Sequence, residues 1–351
     1  MRNISVHLRL VLALLFVSGA KADVYIGWWQ LAQEFGYGYL PKVTSDGFGT
    51  PVTIYQTDTG FATVKYVIGS TAGWTLTWPD GPYSIVAPST ELAHSPAVGM
   101  VMGLSNWALV DIHQGGQDSG SAMWYHSATW GTSSCSTQAC WADGVEYAAN
   151  DTGYNTAVSV DTCDPAISTA GVVEVHQSAS ALSTLWYRVG TIKIGSGNLS
   201  WGPATSTGFS GYAPSVSLLC GQVVLVAQGT GGSLFLATGS ANTSTNSIGW
   251  GAPASYDTGY NPSVTVQSGG ALVEVHQQTN TTGPLLYRTG TVSTTGAVAW
   301  TSKADTSYGT GCYPTVTGLY NVGIETVIEV HSEACGKAAH LVASYGDLLV
   351  K

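Results

Sequence analysis

Short apolar segments and polar turns alternate along the chain with a period of about 50 residues. Each period contains four segments rich in Val, Ile, Tyr and Thr, separated by clusters of Gly, Pro, Asn and Ser. Segments of this kind, bounded by turn residues, predict antiparallel strands. Beyond the first 22 residues, no stretch has the apolar period of a helix. The chain is therefore predicted to be all-β.

The repeat is clearest in the third and fifth units. The fifth unit reads YDTGYNPSVTV from Tyr256, ALVEVHQ from Ala271 and LLYRTGTV from Leu285, and it ends in VAW at Trp300. The third unit follows the same order from Asn150. The other units keep this order with more substitutions, so six units can be counted in the chain.

The two ends of the chain complement each other. The sixth unit lacks its fourth segment, because the chain ends at Lys351 soon after the third, and Val24 to Trp28 matches the fourth segments that end in Trp. Four-stranded units repeated around an axis form β-propellers, which leave few exposed sheet edges. The sequence predicts a single six-bladed β-propeller of four-stranded antiparallel blades over residues 23–351, closed by the N-terminal strand; seven blades are less favoured.

The first 22 residues have the layout of a secretory signal peptide. Arg2 and Arg9 precede the apolar run Leu10 to Val17, and the small residues of Ala20 to Ala22 follow. The apolar run is shorter than the roughly 20 residues that a membrane span needs. We therefore expect cleavage before Asp23, a secreted extracellular protein and no membrane insertion.

The charge balance excludes several classes of partner. Removal of residues 1–22 leaves eight basic and 21 acidic residues, a formal charge of −13. Binding to nucleic acid or anionic membrane needs clustered Lys and Arg, and only Arg188 and Arg288 remain as arginines. A chain rich in Gly, Ser, Thr, Tyr and Trp binds instead through hydroxyls, amides and aromatic faces.

Six cysteines in an exported chain predict disulfides, because no CxxC pair has the His spacing of a zinc site. Sequence alone leaves several pairings open. Alignment of the units favours the pairs Cys135–Cys140, Cys163–Cys220 and Cys312–Cys335. Four sequons after residue 22, at Asn150, Asn198, Asn242 and Asn280, predict glycosylation in a eukaryotic host, although a chain of this composition also contains sequons by chance.

Tyr, Glu, His, Gln and Trp recur at fixed places in the units. Glu and His two residues apart point to the same face of a strand. Because the first strand of a blade begins where the second ends, we expect the Tyr, the His-Gln pair and the Trp to gather at one rim. A few placed polar groups on aromatic walls suit a sugar. The predicted ligand-binding residues are Tyr154, Glu174, His176, Gln177, Trp201, Tyr260, Glu274, His276, Gln277, Trp300, Glu329 and His331.

Repeated residues also have an architectural interpretation. Glu and His can hydrogen-bond neighbouring backbone, and Trp can fill the space between blades. The fourth unit has Leu225 and Ala227 in place of Glu and His, so the fold tolerates their absence. One Glu and one His per blade supply two metal ligands where three or four are needed, so neither a metal nor a cofactor is predicted.

The sequence favours a binding protein over an enzyme. Propeller sialidases use three clustered arginines for the substrate carboxylate, and the mature chain has two arginines in different units. Catalytic sites are single and asymmetric, whereas the carboxylates here follow the repeat. A two-carboxylate glycosidase is an alternative, because Asp and Glu recur along the chain.

The motif set GYNPSV, VVEVHQ, LWYRVG and a closing Trp, which recurs about every 50 residues, resembles the bacterial PLL-like β-propeller lectins, which bind L-fucose and related sugars. The likeness spans essentially all of the mature chain, which differs in its six units, signal peptide and disulfides. The resemblance implies a multivalent lectin with shallow sites between blades and glycans as partners; homo-oligomerisation is left open. The alternative is a structural or adhesive protein that packs its aromatic rim against another protein.

Overall fold

The computed structural model describes residues 24–350 except 31, 60–61, 73–74, 86–92, 116–121, 148–151, 164–167, 302–304 and 322–323. The predicted signal peptide and the sequon at Asn150 lie outside the described residues. The strands are β1 (Val24–Trp29), β2 (Gln33–Ser45), β3 (Pro51–Gln56), β4 (Val64–Ala72), β5 (Thr75–Ser84), β6 (Ala93–Met102), β7 (Trp107–Gly115), β8 (Ala122–Trp130), β9 (Cys140–Trp141), β10 (Val145–Glu146), β11 (Tyr154–Val160), β12 (Thr169–Gln177), β13 (Ser183–Lys193), β14 (Leu199–Trp201), β15 (Thr205–Leu219), β16 (Gln222–Gln228), β17 (Ser233–Asn242), β18 (Ser247–Trp250), β19 (Ala254–Thr258), β20 (Tyr260–Val266), β21 (Ala271–Gln277), β22 (Gly283–Val292), β23 (Val298–Trp300), β24 (Thr306–Asn321), β25 (Ile324–Ser332) and β26 (Ala339–Val350).

Two single-turn 3-10 helices, Thr230–Gly232 and Ser268–Gly270, are the only helices in the described part of the chain, which is otherwise all-β. No helix among the described residues has the length and apolar character that a membrane crossing requires.

Three long strands each connect one unit to the next. In β15, Thr205 to Gly211 pair with β13 of the third unit, and Tyr212 to Leu219 pair with β16 of the fourth. The same segment is therefore the outer strand of one unit and the inner strand of the next. Strands β2 and β24 are shared between two units in the same way.

A β-bulge marks the start of the inner strand in each unit. Between Tyr212 and Ser215 the register shifts, and Ala213 has a φ of 47°. A left-handed backbone is uncommon outside glycine, and a bulge is a regular device for bending a strand. The equivalent residues, all with φ between 47° and 55°, are Leu40, Ser95, Asn155, Ala213, Asn261 and Tyr313.

The N-terminal strand pairs with the last strand, as the sequence predicts. Strand β1 runs antiparallel to β26, with Val24 opposite Val350 and Trp29 opposite Gly346. One detail of that prediction is wrong. Trp29, not Trp28, occupies the position that Trp201 takes opposite Gly190 in the third unit.

The inner strands follow one another around a central cavity. Contacts run in the order β2, β6, β11, β15, β20 and β24, and β24 contacts β2 again. The cavity is lined by Lys42, Ala97, Ala157, Ser215, Ser263 and Thr315, with their neighbours in sequence. The apolar cores lie between adjacent units; Val175 and Tyr187 of the third unit pack against Leu225 of the fourth. Strand β21 is buried at every position, as expected for a central strand covered on both faces.

The three disulfides join Cys135 to Cys140, Cys163 to Cys220 and Cys312 to Cys335, which are the predicted pairs. The pair Cys163–Cys220 connects the third unit to the fourth. Asp161 reinforces this junction, because its carboxylate accepts hydrogen bonds from the backbone N–H groups of Cys163, Cys220 and Gly221.

Candidate functional site

The predicted Glu and His residues form buried pairs. Nδ1 of His176 lies 2.8 Å from a Glu174 carboxylate oxygen, and Nδ1 of His276 lies 3.0 Å from Glu274. Glu329 and His331 repeat the contact at 3.0 Å. The three Glu side chains have no exposure to solvent. This burial supports the architectural interpretation, and contact of these residues with a sugar stays a prediction.

The predicted Gln residues join neighbouring units. The Oε1 atom of Gln177 accepts hydrogen bonds from the Asn155 side chain at 2.5 Å and from the backbone N–H of Ala213, in the next unit, at 2.9 Å. Its Nε2 atom donates to the carbonyl of Ala181. Gln277 makes the equivalent bond to the N–H of Tyr313 at 2.8 Å. Each Gln therefore holds the left-handed residue of the following unit.

The predicted Tyr residues are half-buried beside these groups. Tyr154 pairs with Gln177, and Tyr260 pairs with Gln277. A glycine precedes each Tyr because the His ring is too close for a side chain; a Cβ on Gly259 would lie 2.4 Å from the ring of His276. The predicted gathering of Tyr with His-Gln is therefore present.

The Trp residues are elsewhere, and their predicted place at the same rim is wrong. Trp201 lies opposite Gly190, whereas Gln177 lies opposite Leu185, which is about 16 Å away along the strand. The Trp rings fill space between units instead. Trp201 packs against Tyr147, and Trp300 stacks on the ring of Tyr256 at 5.0 Å.

A partly exposed charged cluster lies between the fourth and fifth units, which we call the junction cluster: Tyr256, Asp257, Arg288, Trp300 and Asp305. The Arg288 Nε atom donates to Asp305 at 2.8 Å, one terminal nitrogen pairs with Asp257, and the other donates to the Tyr256 carbonyl at 2.7 Å. The guanidinium lies 5.6 Å from the centre of the Trp300 ring. The charged side chains are 15–18% exposed, so this cluster reaches the surface.

The two carboxyl groups of the junction cluster differ in acidity. Burial and a hydrogen bond with Asp305 raise the pKa of Asp257. Burial acts in the same direction on Asp305, but hydrogen bonds with Asp257 and Arg288 outweigh it and lower the pKa of Asp305. Asp257 is therefore the group that more readily holds a proton. Burial, together with the charge of Glu274, raises the pKa of Tyr256 well above its usual range.

The third unit has a more buried version of the junction cluster. Arg188 is 7% exposed, lies 4.6 Å from the centre of the Tyr147 ring and donates to the Gly202 carbonyl. The fourth unit has none of these polar groups: Ala237 stands at the arginine position, and Phe209 packs in the cluster that contains Leu225. The polar groups are thus lost together, as expected when each depends on the others.

Most of the junction cluster was missed at the sequence level. Asp257 and Asp305 lie in connecting segments of different length, which the repeat does not align. One signal was available: Arg188 and Arg288 are the only arginines after residue 22, and both stand in the third strand of a unit.

No protein-family model matches the sequence, and no curated protein is significantly similar to it. The structure is similar to the fucose lectin of Aleuria aurantia, described as a six-bladed β-propeller, with a TM-score of 0.58, 11% identity and coverage of 90% of this chain and 96% of that chain. It is also similar to a sialidase of Streptococcus pneumoniae, with a TM-score of 0.56 and 9% identity. That match covers 91% of this chain and 70% of the sialidase chain.

The Trypanosoma rangeli sialidase matches with a TM-score of 0.52 and 8% identity; 88% of this chain is covered, and the chain spans 55% of the length of that enzyme. At these identities the likeness shows the fold alone. The chain is an all-β protein whose structural neighbours are propellers.

Proposed function

We propose that this chain is a secreted, carbohydrate-binding six-bladed propeller, closed by its N-terminal strand, and that it acts as a lectin. The closed order of contacts among the six inner strands supports the blade count, as does the pairing of β1 with β26. The disulfides support an extracellular location, because oxidised cysteines persist outside the cytosol. The likeness to the Aleuria lectin covers nearly all of both chains.

The junction cluster is the observation that carries the proposal. A pyranose presents adjacent hydroxyls and one apolar face, and it needs both donors and acceptors near an aromatic surface. Arg288 supplies donors, Asp257 and Asp305 supply acceptors, and Trp300 supplies the ring. These side chains already hold one another in place, so little conformational entropy is lost when a sugar binds.

L-Fucose and related sugars are the proposed ligands, following the resemblance noted above. The half-buried junction cluster of the fifth unit is the strongest proposed site, and the buried cluster of the third unit is a weaker one. Two or more weak sites on one ring would raise avidity on a glycan-bearing surface without any new contact.

The carboxyl pair offers a second candidate function, a glycoside hydrolase. Two carboxyl groups with pKa values shifted apart are a pattern of acid–base catalysis. The geometry disfavours it, since both carboxylates pair with the one guanidinium of Arg288 and carry oxygens within 4.8 Å of each other, whereas retaining and inverting enzymes separate the two carboxyl groups by about 5 Å or more. Release of 4-nitrophenol from a panel of 4-nitrophenyl glycosides would favour the enzyme.

A glycan array followed by titration tests the lectin proposal. We expect retention on fucosylated glycans, competition by free L-fucose, and about tenfold or greater weakening in Asp257→Asn, from a lost charge-assisted hydrogen bond. Glu146→Gln, which changes an exposed carboxylate outside the junction cluster, is the matched control and should bind as the unmodified protein does. Absence of retention on every glycan would refute the lectin and favour the adhesive protein.

A further inference from the structure

The second unit departs from the others at one position. In the third and fifth units the acid of the second strand lies opposite an arginine, with Glu174 opposite Arg188 and Glu274 opposite Arg288. In the second unit, Asp111 lies opposite His126. In this exchange an imidazole, whose nitrogen can bind a metal ion, takes the place of a guanidinium, which cannot, and it lies beside the existing pair of Asp111 and His113.

Three groups that bind metals therefore converge in the second unit. Asp111, His113 and His126 are all buried, and one ligand atom from each lies within 4.8 Å of the other two. The rings of His113 and His126 are stacked, with centres 5.3 Å apart. We propose that these three residues bind a divalent transition-metal ion of the zinc class. Two imidazoles and one carboxylate are a usual protein ligand set for Zn²⁺, with a water molecule as the fourth ligand.

The surroundings of these residues suit a metal ion. Nδ1 of His126 lies 3.1 Å from the Ala142 carbonyl oxygen and donates to it, which fixes the ring and leaves Nε2 as the nitrogen that carries the lone pair. Oδ1 of Asp111 is buried and has no hydrogen-bond partner within the described part of the chain. A small cavity between the first and second units is lined by Asp111, His113 and His126, together with Thr63 and Ala93.

Metal binding would use the contact between Asp111 and His113. Nδ1 of His113 lies 2.7 Å from Oδ2 of Asp111, so a proton occupies the space between these atoms. Neighbouring ligands of tetrahedral zinc, at about 2.0–2.2 Å from the ion, are roughly 3.4 Å apart. The ion would displace that proton to solvent and the pair would separate slightly, while His126, whose ligand atom lies within 4.8 Å of the other two, would complete the set.

The fifth unit provides an internal contrast. Asp257, His276 and Asp305 also bring ligand atoms within 4.8 Å of one another. There the guanidinium of Arg288 pairs with both carboxylates. The guanidinium excludes a metal ion there, because it repels the ion and already pairs with the two carboxylates that the ion would need. We therefore assign the metal to the second unit alone.

Cobalt(II) titration of the full-length secreted protein, stripped with EDTA, tests this proposal. We expect one equivalent of Co²⁺ per chain, visible d–d absorption of a tetrahedral site, displacement by Zn²⁺, and proton release on binding. His126→Arg, which builds the arrangement of the third and fifth units, and Asp111→Asn should each weaken binding by about 100-fold or more. His340→Ala, which removes a histidine that is 54% exposed, is the control and should keep one equivalent.

Either of two results would overturn the proposal: no stoichiometric Co²⁺ binding by the unmodified protein, or undiminished binding by His126→Arg. Circular dichroism of each variant shows whether it folds. If the second-unit variants do not fold, X-ray absorption of the zinc-loaded unmodified protein decides, since two imidazoles and one carboxylate are expected and any other set refutes the assignment. Sugar binding by the junction cluster is a separate readout, so failure of one proposal leaves the other intact.

Discussion

Gln177→Met tests whether the Gln residues join neighbouring units. The substitution keeps the length of the side chain and removes both of its polar atoms. The N–H of Ala213 then loses the acceptor that it has at 2.9 Å, and the carbonyl of Ala181 loses its donor. An unsatisfied buried donor costs about 1–3 kcal/mol, and the loss of the other hydrogen bonds of Gln177 costs somewhat less. We therefore expect the free energy of unfolding to fall by about 2–4 kcal/mol.

The chain contains a matched control for this experiment. Gln228 occupies the same position in the fourth unit, opposite Tyr212, but its Oε1 atom has no hydrogen-bond partner among the described residues. Gln228→Met should therefore change the free energy of unfolding by about 0.5 kcal/mol or less. Urea unfolding with the disulfides intact measures both variants, and amide hydrogen exchange at Ala213 reports the local effect. Equal losses in the two variants would refute the reasoning.

Three further outcomes are expected. Burial acts to lower the pKa of His276, but the charge of Glu274 prevails and raises it. The stabilisation by this pair is therefore complete below a pH of about 6.5 and is lost as the pH rises through the raised pKa. Urea unfolding measured across this pH range should show a decline in stability, and Glu274→Gln should remove that decline. Gly259→Ala should lower the free energy of unfolding in urea by about 1–3 kcal/mol, because the new Cβ would lie 2.4 Å from the His276 ring. Gly249→Ala is the control and should leave the free energy of unfolding nearly unchanged, because a Cβ at Gly249 has no atom within 4 Å. Deletion of Val24–Trp29 should expose the edge of β26 and yield aggregates in size-exclusion chromatography; a monomer that melts like the full-length protein would contradict this.

The order of the strands could be predicted from the sequence because period-2 segments and turn residues are local signals. The pairing of β1 with β26 was also predictable, since one unit lacked a segment that the other end of the chain supplied. The exact register was not. Trp28 and Trp29 are adjacent, and only the pairing of Trp29 with Gly346 distinguishes them.

The chemistry of the candidate site was harder to predict. The repeat correctly brought Tyr154 and Gln177 together, because they end paired strands. It gave no information about burial, which depends on how one unit covers the next, and Glu174 is enclosed by that packing. The partners of Arg288 come from segments that differ in length between units, so no alignment of repeats brings Asp257 and Asp305 together.

The strands shared between units affect how the molecule unfolds. Because β15 is the outer edge of the third unit and the inner strand of the fourth, neither of these units can detach without breaking the hydrogen bonds of the other, and β2 and β24 join their units in the same way. Linear repeat arrays can fray from their ends, one repeat at a time. Here the first and last strands hold each other, so there is no free terminal repeat where fraying could begin. Unfolding should therefore be a single cooperative transition, in which the slowest-exchanging amides of all the units open together.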